Sequence, residues 1–273
     1  MSCQCKAYIF IIFSGAIDGK HISVQCPQLS GSKFHNYKGG FSTILLAVAD
    51  ADYCFVYVDV GTHGSAHDGT VFSQSTLGQR LQEGGLDLPP PPGDGLEYVF
   101  VADEAFPLRD EIMRPYPGRG MEAENRHKRL VFNYRLSRAR RIVENAFGIL
   151  VAKWRIFRQP IIASTETVNN VVKAACVLHN FLRRRDGMSS DALPYINSDD
   201  LDIERNGEIT RGLWRQQTAG ALRDTGRLGS NNANRQAIDL RERFAQHFLS
   251  PEGAVPWQDS VVRRGLLSGH VRE

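Results

Sequence analysis

Long apolar runs are missing from this sequence: the longest, Ala7 to Phe13, is seven residues between Lys6 and Ser14, against the roughly 20 that a bilayer-spanning helix needs. A helical membrane span is excluded. Cysteine is scarce as well. The five residues (Cys3, Cys5, Cys26, Cys54, Cys176) are odd in number and scattered, with no CxxC pair. They support neither a disulfide framework nor a zinc ribbon, and reduced thiols point to the nucleus or the cytoplasm. An excess of charge of one sign is lacking too, since 33 Lys and Arg face 30 Asp and Glu. Internal repeats and coiled-coil heptads are absent. What is present, 42% hydrophobic and 23% charged residues over 273 positions, is globular composition with room for one large domain and an appendage.

The seven-residue run fits two readings, the apolar part of a short signal peptide or a buried strand leading into Ile17. The cysteine usage favours the strand. Charge is unevenly placed: residues 1–185 carry +5 and residues 186–273 carry −2. Within the first part, Arg126, Lys128, Arg129, Arg135, Arg138, Arg140 and Arg141 follow one another with no acid between. Such a run either grips a polyanion or is the solvated face of a helix.

Residues 16–24 read as a strand, and Phe41 to Ala49 and Cys54 to Val60 are apolar on both alternating faces, as central strands covered on both sides must be. Asp68 to Ser75 reads as a short helix, Gln79 to Gly95 as a loop dominated by PPPPGDG, and YVFVAD (98–103) as another buried strand. From Asn133 the period turns helical, with Leu136, Ala139, Val143, Ala146, Phe147 and Leu150 on one face. A second amphipathic helix covers about Thr165 to Arg184, its buried stripe made of Val168, Val171, Val172, Ala175, Leu178, His179 and Leu182. Strands and helices in this order give an α/β class with a mixed sheet. Beyond Arg185 the composition is polar, so 186–273 reads as a largely flexible tail with a short helix near 236–249.

Three acids stand where elements can bring them together: Asp18 on the first strand, Asp103 at the end of the YVFVAD strand, and Glu144 on the long helix just off its apolar stripe. Carboxylate oxygens are the hard ligands that Mg²⁺ or Mn²⁺ takes. Pattern alone does not select these three from 30 acids, because an acid at a strand end also forms turns and Glu144 can pair with Arg140 four residues earlier. His63 and His67 have the H-x-x-x-H spacing of zinc ligation, but Gly64 and Ser65 between them oppose a presenting helix and no zincin Glu accompanies them. His179 reads as a buried, hydrogen-bonded histidine; His21 either lines the cleft or faces solvent.

The segments AIDGKHI, KGGFSTILLAVADADYCFVYVDVG, GSAHDGTVF, YVFVADEAFPL and FNYRLSRARRIVENAFGILVAKWRIF together resemble the DDE transposase domain of the PIF/Harbinger superfamily and its nuclease derivatives, in the right order from about Ile17 to Arg184. The resemblance implies an RNase H-like mixed sheet flanked by helices over 16–185. It implies a catalytic, metal-holding triad at Asp18, Asp103 and Glu144, with Asp68 of the HD motif as a supporting residue. It further implies DNA as substrate and a divalent metal cation (Mg²⁺ or Mn²⁺) that cleaves phosphodiesters by a two-metal mechanism, with strand transfer of the freed 3′-hydroxyl. Arg138, Arg140 and Arg141, on the helix of the third acid, would then lie along a phosphate backbone. Family members often work with a separate Myb-like DNA-binding protein, and self-association is open. Residues 1–15 do not resemble the helical N-terminal region of such proteins and read as a replaced or truncated lead. Glu104, an extra acid in DEAFPL, is expected on the opposite face if the strand continues. The rival reading is a domesticated, catalytically silent DNA- or protein-binding module. Retention of all three acids favours the nuclease, since clustered carboxylates weaken DNA binding when no metal is present.

Overall fold

A strand whose successive side chains are all apolar must be covered on both pleat faces, and β1 (Phe13–Ser23) and β2 (Ser42–Ala49) are almost completely buried. They pair antiparallel, with Asp18 opposite Ala47. In β2, Leu45, Ala47 and Ala49 enter one core while Ile44, Leu46 and Val48 enter another. β3 (Phe55–His63) continues the sheet antiparallel to β2; β4 (Val99–Val101) lies parallel to β1 on its other side, and β5 (Ile112–Met113) lies parallel to β4. The strand order is β3-β2-β1-β4-β5. The computed structural model describes residues 13–86, 96–118, 123–186, 194–218, 221, 223–224 and 233–267. The proline run at 89–95, the cysteines Cys3 and Cys5 and most of the apolar run at 7–13 lie outside them.

The face of Ile44, Leu46 and Val48 is covered by α1 (Asp68–Gln74) and α2 (Thr76–Gln82), through Val71, Phe72, Leu77 and Leu81. α2 falls where a loop was expected from Gln79. Ser75 accepts the Gly78 N–H at 3.0 Å and starts it. The opposite face carries α3 (Arg126–Lys153) and α4 (Thr165–Asp186). α3 begins seven residues before the periodicity that marks it in the sequence, so the basic run is helical from its start.

Two expectations are corrected at the sheet edge. β3 is an outer strand, not a central one, with Val56 exposed; Asn180 of α4 satisfies its backbone by accepting the Phe55 N–H and donating to the Phe55 carbonyl, both at 2.8 Å. On α4 the buried stripe is Val168, Val172, Ala175, Cys176 and His179, and Leu178 is instead exposed beside Val177 and Phe181.

The region read as a largely flexible tail with a short helix near 236–249 carries further elements among its described residues. Its described residues form a hairpin of β6 (Ile203–Arg205) and β7 (Glu208–Thr210), then α5 (Trp214–Gln217), β8 (Arg223–Asp224), α6 (Arg235–His247) and α7 (Gln258–Leu267). Leu201, Leu240, Phe244, Phe248 and Val262 join the same core as α3. Polar composition conceals this docking because much of it is made by charged groups: Asp200 pairs with Lys153 at 3.1 Å and Glu204 with Arg141 at 2.7 Å. Gly148 permits the closest approach. A β-carbon there would lie 2.2 Å from the Trp214 ring, so the indole sits directly on the α3 backbone.

Candidate active site

β4 pairs only with the beginning of β1, ending at Ala16 opposite Val101. Past that point β4 leaves the sheet, and β1 runs on to pair with β8 (Arg223–Asp224) at Lys20 and His21. Ligand sites in sheets of parallel strands form where strands end in this way. Side chains alternate with a period of two. Ala16 and Val101 both enter the core beneath α3, so Asp18 and Asp103, each two residues further on, stand side by side at the end of that face. Asp103 starts a turn, its carboxylate accepting the Ala105 N–H at 2.9 Å; buried Phe106 and Leu108 anchor the loop that follows. Glu104 lies within this turn and is exposed, since the strand has already ended.

α3 crosses this face and contributes Glu144. Asp18 acts electrostatically on both of the other acids. Burial raises the Asp103 carboxyl above its usual value, and the Asp18 charge adds to the effect. Burial likewise raises Glu144, opposed by the Arg140 guanidinium and reinforced by Asp18.

Three cations share the site. Lys20, two residues beyond Asp18 on the same face, places its ammonium 2.8 Å from Asp18 Oδ2 and in direct contact with Asp224 of β8. Burial works to lower its pKa, yet Asp18 and Asp224 hold it above the ordinary lysine value. Arg140 lies 3.5 Å from Glu144 one turn along α3, and Asp18, Glu144 and Asp103 raise its pKa against the effect of burial. Arg215 reaches Glu144 at 3.8 Å while donating to Asp202 at 2.8 Å.

Hard carboxylate oxygens at this density suit a divalent cation in chemistry and in charge. Five carboxylates (Asp18, Asp103, Glu144, Asp202, Asp224) against Lys20, Arg140 and Arg215 leave two negative charges, the amount that one such ion neutralises. As they stand, Asp18 is turned to Lys20 and Glu144 to Arg140 and Arg215, while Asp103 accepts from its own turn. Among the described residues, no three His, Cys, Asp or Glu side chains form a ready cluster for a metal.

The other predicted residues divide. Asp68 opens α1. Arg138 is buried, 3.9 Å from Glu204 and over the Trp257 ring, and Arg141 pairs with the same Glu204. The hairpin and α7 cover the Arg138 side of α3. Arg140 alone of the three faces the acids. His179 is fully buried, its ring nitrogens bonded to Tyr195 Oη at 3.0 Å and the Tyr53 carbonyl at 2.9 Å. His21 is buried against Ser42 Oγ at 2.8 Å and does not face solvent. His63 meets the Phe34 ring edge-on, and His67 precedes α1 as an exposed residue.

Lys20, Asp224 and Arg215 went unnoticed in the sequence. Lys20 had a signal, the two-residue spacing from Asp18 on a buried strand. Asp224 and Arg215 lie in segments of polar composition and had none.

A family model described as DDE superfamily endonuclease matches residues 17–180. "Protein ALP1-like" of Arabidopsis thaliana is 27% identical over 198 residues, covering 70% of this chain and 48% of its own length. "Putative nuclease HARBI1" of Rattus norvegicus is 25% identical over 169 residues, covering 61% of this chain and 44% of its own. The chain thus spans about half the length of these curated relatives. No solved structure matches it. The mixed sheet β3-β2-β1-β4-β5, with β8 added on β1 and helices on both faces, is consistent with the RNase H-like arrangement of such domains.

Proposed function

Because the chain belongs to the DDE superfamily endonuclease family, as a transposase-derived nuclease-like domain, we propose that it hydrolyses phosphodiester bonds of DNA with a divalent metal cation, Mg²⁺ or Mn²⁺, held by Asp18, Asp103 and Glu144. The observation that carries this reading is the register of β1 and β4, which puts Asp18 and Asp103 at matching parity where β4 ends, with Glu144 of α3 within electrostatic reach of Asp18.

When bound, the metal would supply a nucleophile from water and stabilise charge on the phosphate. The chain's own residues have the remaining roles. Asp18 stands on an almost completely buried strand, and Asp103 is fixed by its turn; both are held by backbone that does not need to rearrange. Glu144 comes from the middle of a 28-residue helix whose position is locked by Asn145, one residue on, which donates to the Asp202 carbonyl at 3.1 Å and accepts the Trp214 indole N–H at 2.9 Å. Arg140 places a guanidinium beside the acids, where it can pair with a phosphate oxygen of the strand being cut.

The test is nicking of supercoiled plasmid by the full chain in Mg²⁺ or Mn²⁺, with EDTA as the control. Cleavage should vanish in Asp18→Asn, Asp103→Asn and Glu144→Gln, each shown by circular dichroism to be folded. Cleavage unchanged in all three would overturn the assignment. A second reading, a silent DNA-binding module, draws on the ion pairs of Lys20 and Arg140 that already neutralise part of the site. It predicts DNA retention with no metal-dependent nicking under any of these conditions.

A further inference from the structure

Lys20 is buried among the groups that would take a metal, and the catalytic reading gives it no task. Resting on the reading that Asp18, Asp103 and Glu144 hold a divalent cation, we propose that Lys20 is an internal counterion competing with that cation at Asp18, and that Asp224 is the seat to which its ammonium withdraws.

The ammonium is confined on several sides. It lies 2.8 Å from Asp18 Oδ2, contacts Asp224 Oδ1, and stands 5.8 Å from the centre of the Phe147 ring on α3. The lysine side chain is 11% exposed, whereas that of Asp224 is 77% exposed. One carboxylate is therefore inside the site and the other is at its rim, with a single cation between them. β8 is placed for this. It pairs with β1 at Lys20 and His21, beyond the point where β4 has ended, so the backbone itself keeps Asp224 opposite Lys20.

Without metal, Lys20 relieves the repulsion among carboxylates that would otherwise face one another in a poorly solvated cleft. When a cation enters, Asp18 exchanges one positive partner for another. A small rotation of the lysine end keeps its contact with Asp224, so no buried charge is left unpaired. Competition of this kind lowers metal affinity, and Asp224 offsets part of the loss.

The experiment is Mn²⁺ titration of the full chain by isothermal titration calorimetry, with circular dichroism to confirm folding. Lys20→Met should bind Mn²⁺ at least about tenfold more tightly than the unaltered chain, the scale on which one unit charge at contact distance acts on a partly screened ion. Lys20→Gln, which keeps a polar end, should behave the same way and serves if the methionine variant does not fold. Asp224→Asn should weaken binding several-fold in the unaltered chain and leave it unchanged in the Lys20→Met background. Simple loss of a nearby negative charge would instead weaken both backgrounds equally, and that result overturns the proposal. Equal affinity of Lys20→Met, Lys20→Gln and the unaltered chain also overturns it while leaving the metal site intact. If no variant binds Mn²⁺, the metal-site reading falls and this proposal falls with it.

Discussion

Replacing Gly148 by alanine tests whether the region after α4 is part of the fold that positions Glu144. In an exposed helix the change is favourable by about 1 kcal/mol, because alanine restrains the unfolded chain and glycine does not. Here the added β-carbon would meet the Trp214 ring at 2.2–2.7 Å, well inside ordinary contact. The ring has to retreat, and the Trp214 indole bond to Asn145 Oδ1 at 2.9 Å goes with it. Overpacking of this type costs about 1–3 kcal/mol and the lost hydrogen bond about 1 kcal/mol. After the helix gain is subtracted, Gly148→Ala should destabilise the protein by about 1–3 kcal/mol. In a Trp214→Ala background the obstacle is gone, and the same substitution should stabilise by up to about 1 kcal/mol. Urea unfolding of the four proteins of this cycle measures the coupling directly. If Gly148→Ala stabilises the unaltered chain by the ordinary helix increment, Trp214 does not pack on α3 and the account of the docked C-terminal region is wrong.

Arg138→Met should cost about 2–3 kcal/mol of stability, below the usual cost of breaking a buried pair because Arg141 and Tyr134 remain on Glu204, and should leave the salt dependence of DNA binding unaltered. Arg140→Met should reduce the magnitude of the slope of log affinity against log salt by about one, as loss of a single phosphate contact does; the reverse assignment of these effects would refute the placement of the two side chains. Burial lowers the His179 pKa from 6.5 to about 4. Its neutral form is thus favoured on folding, and its contribution is complete above pH 6.5 and lost as pH falls toward 4, with a range of about 3 kcal/mol. The stability gap between the unaltered chain and His179→Gln should therefore narrow over that interval in urea titrations, and a gap independent of pH would contradict it.

The sheet was legible because it obeys local rules. β2 is apolar at every position from Ile44 to Ala49 and β1 is buried along nearly its whole length, β4 is followed two residues on by a turn-forming Asp, and the parity of Asp18 and Asp103 follows once the two strands are neighbours. The edge position of β3 was not legible, since apolar alternation looks the same whether the second face is covered by protein or left half open. α2 was hidden because the proline run drew the loop back to Gln79, although the Ser75 cap just before Thr76 favours a helix. These are failures of range: each depends on what lies across the sheet or one turn away, and composition does not record it.

The basic run on α3 shows the same limit with a functional consequence. Seven cations without an acid over 16 residues read as one electrostatic surface, yet the fold separates them according to partners more than 60 residues away. Glu204, donated by a hairpin of polar composition, takes Arg138 and Arg141. The Gly253 carbonyl takes Arg135 at 2.6 Å. What remains at the acids is Arg140, joined by a lysine that belongs to a different element. Clustering in sequence thus overstated the surface available to a polyanion, while the charge at the site was set by Lys20 and Asp224, which the sequence holds 204 residues apart. Net charge in the cleft is a property of the folded topology: β1 extends past β4, β8 fills the vacated edge, and the carboxylate it brings makes the buried lysine tolerable beside Asp18.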